Sequence, residues 1–157
     1  MKKILKFSSG LAIVAGIVMI TAGIWGIIFT YKNVTREAIT TPADASIPNR
    51  PVRGPFTLKA QADSIRHHML QITGGKTYSQ MPQKVQKIDA DGNLVLDDEG
   101  MPVMIANDAR TLWITATTLT TTLHLGIITY VFAGLITFLG LVSIWTGIVF
   151  QTLAKKN

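Results

Sequence analysis

Two long stretches without a single charged residue constrain this fold more than any other feature of the sequence. They cover residues 8–30 and 125–150. An α-helix rises about 1.5 Å per residue and needs about 20 apolar residues to cross the roughly 30 Å hydrocarbon core of a bilayer. Helices of globular proteins typically run about 8–20 residues. The two stretches therefore predict two membrane-spanning helices.

We place the spans at residues 8–30 and 123–150, with tails at residues 1–7 and 151–157. Lys2, Lys3 and Lys6 also give the start of the chain the basic region of a secretory signal peptide. The apolar stretch that follows is longer than the usual 7–15 residues, and no small-x-small cleavage site follows it. We therefore expect an uncleaved helix.

The distribution of charge predicts how the two spans are oriented. The tails carry five lysines and no acid, whereas the other ten basic residues and all nine acidic ones lie between the spans. Lysine and arginine close to membrane ends are retained in the cytoplasm. We therefore predict a multi-pass protein of the cell membrane, with both termini cytoplasmic and residues 31–122 outside. The pI of about 9.8 then reflects lysines facing anionic lipid rather than a nucleic-acid surface.

The outer segment, residues 31–122, is expected to begin with an extended connector. "TPADASIPNRPVRGP" contains four prolines, which remove hydrogen-bond donors and disfavour helix. "FTLKAQADSIRHHMLQITGG" then predicts an amphipathic helix that stops at Gly74 or Gly75. Its apolar stripe consists of Leu58, Ala62, Ile65, Met69 and Ile72.

After this helix, "KVQKIDADGNLVLDDEGMPVM" predicts short strands joined by Asp-Gly and Glu-Gly turns. "DADGN" also resembles the start of a calcium-binding loop. Such a loop needs glycine at its sixth position and glutamate at its twelfth, where this chain has Leu94 and Gly100. We therefore expect a hairpin turn and no calcium site.

The second span is expected to belong to one long helix that begins well outside the bilayer. Asn107 is a suitable N-cap, and no proline separates it from the apolar stretch. The predicted fold class is thus a mainly α membrane protein. Two antiparallel transmembrane helices enclose a small α+β extracytoplasmic domain, with one amphipathic helix and a short β-hairpin.

Small residues recur every seven positions in both spans and predict how the spans pack. Helix association in lipid depends on close van der Waals approach, which small side chains permit. Folding the two spans antiparallel brings all four levels into one register. Alternatively, the stripes face other subunits of a homo-oligomer. The predicted packing pairs are Ser9 with Gly147, Gly16 with Gly140, Gly23 with Ala133, and Thr30 with Gly126.

Few residues have the chemistry of a catalytic or metal site. The chain has no cysteine, and its histidines are His67, His68 and His124. Asp63 and His67 share a helix face at a spacing of four, which allows a carboxylate–imidazole contact or a weak metal site. No charged residue lies inside either span, so the usual marks of an ion or proton path are missing. We assign no catalytic, cofactor-binding or metal residue.

The outer segment resembles a family of small two-span membrane proteins of unknown function that is common in actinobacteria. The similar stretches are "EAITTPADA", "VRGPFTLKAQADSIRHHML", "TGGKTYSQM" and the helix that enters the second span. The resemblance implies the two-span fold and the membrane location. Some members are labelled aromatic ring-opening dioxygenases. That chemistry uses iron held by histidines and a carboxylate, a set that these three histidines do not form.

Two classes of function are consistent with these features. The first is a non-enzymatic accessory subunit or envelope-interaction module, whose partners are the lipid bilayer and either a membrane or envelope protein or further copies of the chain. The second is a metal-dependent sensor or enzyme that uses Asp63 and His67. Because the sequence lacks an ionisable cluster, we favour the first.

Overall fold

The computed structural model describes residues 2–156, so Met1 and Asn157 of the predicted tails lie outside the described residues. The fold is mainly helical with a two-stranded antiparallel sheet, as the sequence predicts. In chain order, the elements are α1 (Lys2–Arg36), α2 (Pro55–Ile72), a 3-10 turn (Tyr78–Gln80), β1 (Lys84–Gln86), β2 (Met104–Ala106) and α3 (Asp108–Lys156).

Helices α1 and α3 are both long and apolar enough to cross a membrane. The most apolar windows of α1 and α3 have mean hydropathies of 2.4 and 2.3, and only 11% of each window is buried. A core helix of a soluble protein is largely buried, so the exposed apolar surface is consistent with a membrane protein. The two helices pack against each other over much of their length.

Helix α3 is a single helix of 49 residues, or roughly 70 Å, as predicted. Asn107 is its N-cap, because the Asn107 side-chain oxygen accepts a hydrogen bond from the backbone N–H of Ala109 at 3.1 Å. The many threonines near its start do not break it. Several of their hydroxyls, including those of Thr118 and Thr122, donate to the carbonyl four residues earlier.

Helix α2 begins at Pro55, whose missing N–H is no loss in the first turn of a helix. It ends at Ile72, and Gly74 and Gly75 then take positive φ angles of 60° and 79°, as the predicted stop requires. The predicted apolar stripe is wrong at one position. Met69 is the last residue of the stripe that packs against α3, and Ile72 is 63% exposed.

The proline-rich connector is not extended as predicted but folds back on itself between Ile39 and Val52. The backbone N–H of Val52 donates to Ile39 at 2.9 Å, and that of Thr41 donates to Arg50 at 2.9 Å. The Thr41 side chain is buried and accepts a hydrogen bond from the Arg50 N–H. Proline presets the backbone for turns, and the non-proline residues next to the prolines supply these donors.

Strands β1 and β2 pair antiparallel. The segment that joins them, residues 87–103, contains two successive turns. In each turn an aspartate, Asp89 or Asp97, accepts two backbone N–H bonds through its Oδ1 atom. Gly92 and Gly100 take the positive φ angles that the turns need. Both turns lie at the predicted Asp-Gly and Glu-Gly positions, and they repeat at a spacing of eight residues. We call residues 84–106 the β arm.

Candidate functional site

Small residues form the contact between α1 and α3, with the glycines directly against the opposite backbone. A β carbon added to Gly16 would lie 2.6 Å from the carbonyl oxygen of Gly140, and one added to Gly140 would lie 2.8 Å from that of Gly16. A β carbon added to Gly23 would lie 2.7 Å from the carbonyl oxygen of Ala133. These distances are shorter than van der Waals contact, so only glycine fits at these points.

Hydrogen bonds from serine side chains join the two helices near the N-terminus of α1 and the C-terminus of α3. The Ser9 hydroxyl donates to the carbonyl of Gly147 at 2.7 Å, and the Ser143 hydroxyl donates to that of Ala12 at 2.8 Å. Away from water, such bonds satisfy the hydroxyl groups within the helix pair. We call the contact defined by the eight predicted packing residues the seam.

A second set of residues, which the sequence reasoning missed, fills the space beside each glycine. Ile20 covers Gly140 and Ile144 covers Gly16. Ile13 covers Gly147 in the same way, and Thr137 covers Gly23. These covering residues also recur every seven positions, which is the signal that could have found them. Large and small side chains therefore interdigitate along the seam, as in coiled coils.

The fourth level of the seam has a different neighbour. Thr30 is buried, and its hydroxyl donates to the carbonyl of Gly26 in its own helix at 2.8 Å. Gly126 lies against Leu58 of α2, whose nearest methyl carbon would be 3.3 Å from an added β carbon. Helix α2 thus inserts a leucine at the level where the seam ends.

A cavity of about 460 Å³ opens beside this leucine, between the C-terminal part of α1 and the N-terminal half of α3. Its walls are mostly apolar, and Asn33, Arg36 and Glu37 line the part that extends furthest along α1. The Tyr130 hydroxyl of α3 donates to the backbone carbonyl of Arg53 at 2.7 Å and so fixes the connector to α3. The apolar lining residues include Phe29, Val34, Ile39, Val52, Leu58, Leu119 and Leu123.

The contact that the spacing of Asp63 and His67 allows is not formed, and each side chain bonds to another residue instead. Asp63 forms an ion pair with Lys59 at 2.7 Å, and the His67 ring lies 3.0 Å from the side-chain nitrogen of Gln71. Both contacts are exposed, and each joins residues one helical turn apart. Asp63 and His67 therefore do not form a hydrogen bond with each other.

A carboxylate–imidazole pair does occur, but between residues far apart in sequence. The His68 ring donates to Asp44 of the connector at 2.6 Å. This hydrogen bond lowers the pKa of Asp44 below its usual value. His124 is exposed on α3. Across residues 2–156, no three histidine, aspartate or glutamate side chains are grouped closely enough to hold a metal ion.

Comparisons of this chain with protein-family models, with curated proteins and with solved structures found no match.

Proposed function

We propose that this chain is an integral protein of the cell membrane that holds an outer domain in a fixed position, as an accessory subunit or envelope-interaction module. The spans are residues 8–30 and 123–150, and both termini are cytoplasmic. One observation carries the proposal: away from the seam, the surfaces of α1 and α3 are apolar and exposed. Trp25 and Trp145, for example, are 67% and 69% exposed. A surface of this extent is stable only against lipid or protein.

The outer domain is packed onto the helix pair rather than tethered to it. Leu58 and Val52 pack against Leu123 of α3 in one apolar cluster. In a second apolar cluster, Met69 and Met81 pack against Trp113, which lies nearer the N-terminus of α3. Two such contacts fix the domain along and around α3. This arrangement suits a protein that presents a surface at a set height above the membrane.

The β arm is the most exposed part of this domain. Six of its apolar side chains are exposed, and the two turns carry five carboxylates. Exposed apolar groups beside polar ones are typical of protein-binding surfaces. We therefore place the partner contact of the accessory subunit on the β arm. Its exposed apolar residues are Ile88, Leu94, Leu96, Met101, Met104 and Ile105.

A metal-dependent sensor or enzyme is the weaker proposal. It would need Asp63 and His67 to act together, and the ion pair between Lys59 and Asp63 occupies that carboxylate. The His68–Asp44 pair supplies only one imidazole and one carboxylate, and both are exposed. A metal site with exposed ligands and only two protein donors is weak, since stable sites commonly use three or four.

The proposed topology is tested by labelling single cysteines with a membrane-impermeant maleimide, since the chain has no native cysteine. Ser46→Cys, in the exposed connector, should react on intact cells. Lys156→Cys, at the end of α3, should react only after the membrane is permeabilised. Labelling of Lys156→Cys but not of Ser46→Cys on intact cells would contradict the proposed orientation. Recovery of the protein in the soluble fraction would contradict membrane insertion itself.

A further inference from the structure

The cavity beside Leu58 lies at the level where the proposed spans leave the membrane. Phe29 and Thr129 line its inner part, and Glu37 and Leu119 line its outer part. From Thr129 to Leu119, α3 rises about 15 Å. The cavity therefore runs from the edge of the hydrocarbon core through the headgroup region of the outer leaflet.

The size and lining of the cavity suit an apolar ligand with a polar end. A volume of about 460 Å³ falls within the range of roughly 300–1,000 Å³ that is usual for small-molecule sites. The wall is leucine, isoleucine, valine and phenylalanine over most of its area, and its two charged residues, Arg36 and Glu37, lie together at the outer end. In a membrane, the abundant molecule of this form is a lipid.

The charges at the outer end indicate which headgroup fits. Arg36 and Glu37 both line the cavity, and neither forms an ion pair with another side chain in residues 2–156. A guanidinium group binds phosphate through paired hydrogen bonds. A carboxylate beside it attracts a cation and accepts hydrogen bonds from a primary ammonium, which a quaternary ammonium cannot donate.

We propose that the cavity binds one acyl chain of an outer-leaflet phospholipid with a primary-ammonium headgroup, phosphatidylethanolamine. Arg36 holds the phosphate, and Glu37 holds the ammonium. The bound lipid fills the space that Leu58 leaves at the outer end of the seam, and joins α1, α3 and the connector. This inference rests on the proposed membrane insertion of the helix pair.

The test uses the full chain in nanodiscs that contain a phosphatidylethanolamine with a diazirine on one acyl chain. After illumination, mass spectrometry locates the labelled residues. We expect labelling of the cavity wall above that of the other lipid-facing residues. Unlabelled phosphatidylethanolamine should compete better than phosphatidylcholine or phosphatidylglycerol.

Two variants, each with a matched control, separate a cavity site from general contact with lipid. Thr122→Phe fills the cavity from an exposed position and should reduce cavity labelling by about tenfold or more. Thr118→Phe, one turn away and outside the lining, should not. Glu37→Gln should remove the preference over phosphatidylcholine, whereas Glu99→Gln in the β arm should keep it.

Two outcomes would overturn the inference while membrane insertion still holds. These are uniform labelling of both helices and full cavity labelling in Thr122→Phe. A complete lack of labelling on α1 and α3 would instead contradict the proposed membrane insertion, and with it the lipid site.

Discussion

Replacing Gly140 by alanine should destabilise the helix pair by about 1–3 kcal/mol, although alanine is the better helix former. The added β carbon would lie 2.8 Å from the carbonyl oxygen of Gly16 and 3.0 Å from the backbone nitrogen of Ile20. Backbone atoms cannot move aside as a flexible side chain can. The two helices must therefore separate, and the contacts at neighbouring levels of the seam are weakened as well.

Gly134→Ala is the matched control in the same helix, because nothing lies within 4 Å of a β carbon at that position. It should be neutral, or stabilising by up to about 1 kcal/mol through helix propensity alone. The free energy of unfolding can be measured by SDS titration in mixed micelles. Energy transfer between dyes on cysteines at Lys3 and Lys156 would report separation of the helices. Equal midpoints for the two alanine variants would show that Gly140 is not in a tight contact.

Leu58→Ala should release α2 and the connector from the helix pair, with a loss of about 2–5 kcal/mol in the stability of the outer domain. Leu58 is 1% exposed, and it packs with Val52 and Leu123 and against Gly126. Its truncation would leave a void that joins the existing cavity. The surrounding backbone cannot close that void, since Gly126 belongs to the rigid helix α3.

Hydrogen exchange on the full chain measures this effect element by element. In Leu58→Ala, the amides of α2 should exchange faster, while those of α1 within the seam should keep their protection. Phe56→Ala is the control, because Phe56 lies on the same helix and is 80% exposed. Unchanged α2 exchange in Leu58→Ala, or equal acceleration in both variants, would contradict the role of Leu58 as the docking residue.

The helix pair could be predicted from the sequence because the patterns that indicate it are local and repeated. Long uncharged runs give the two helices their length, and Asn107 gives the start of α3. The spacing of seven selects a face that the structure buries at every predicted position except Gly126, which is half-buried. In an apolar stretch, small residues at a fixed spacing affect little besides packing, so the pattern is easy to interpret.

The parts that the sequence reasoning missed depend on contacts between distant segments. Leu58 reaches Gly126 only because the connector turns back between Ile39 and Val52. Asp44 meets His68 for the same reason. The cavity also follows from this turn, since α2 then lies beside the helix pair and not above it. No periodicity within one segment reports such contacts.

An engineered disulfide between Gly26→Cys and Ala133→Cys tests the antiparallel helix pair most directly. A β carbon on Gly26 would lie 3.2 Å from that of Ala133, a few tenths of an ångström below the usual 3.5–4.5 Å of a disulfide. Gly26→Cys with Gly134→Cys is the control, because position 134 faces away from the seam. After mild oxidation in native membranes, the first pair should have no free thiol left to react with a thiol-reactive mass tag, and the product should keep the mass of one untagged chain. The control pair should remain reactive. Free thiols in the first pair, or a product of doubled mass, would contradict an intramolecular seam between α1 and α3.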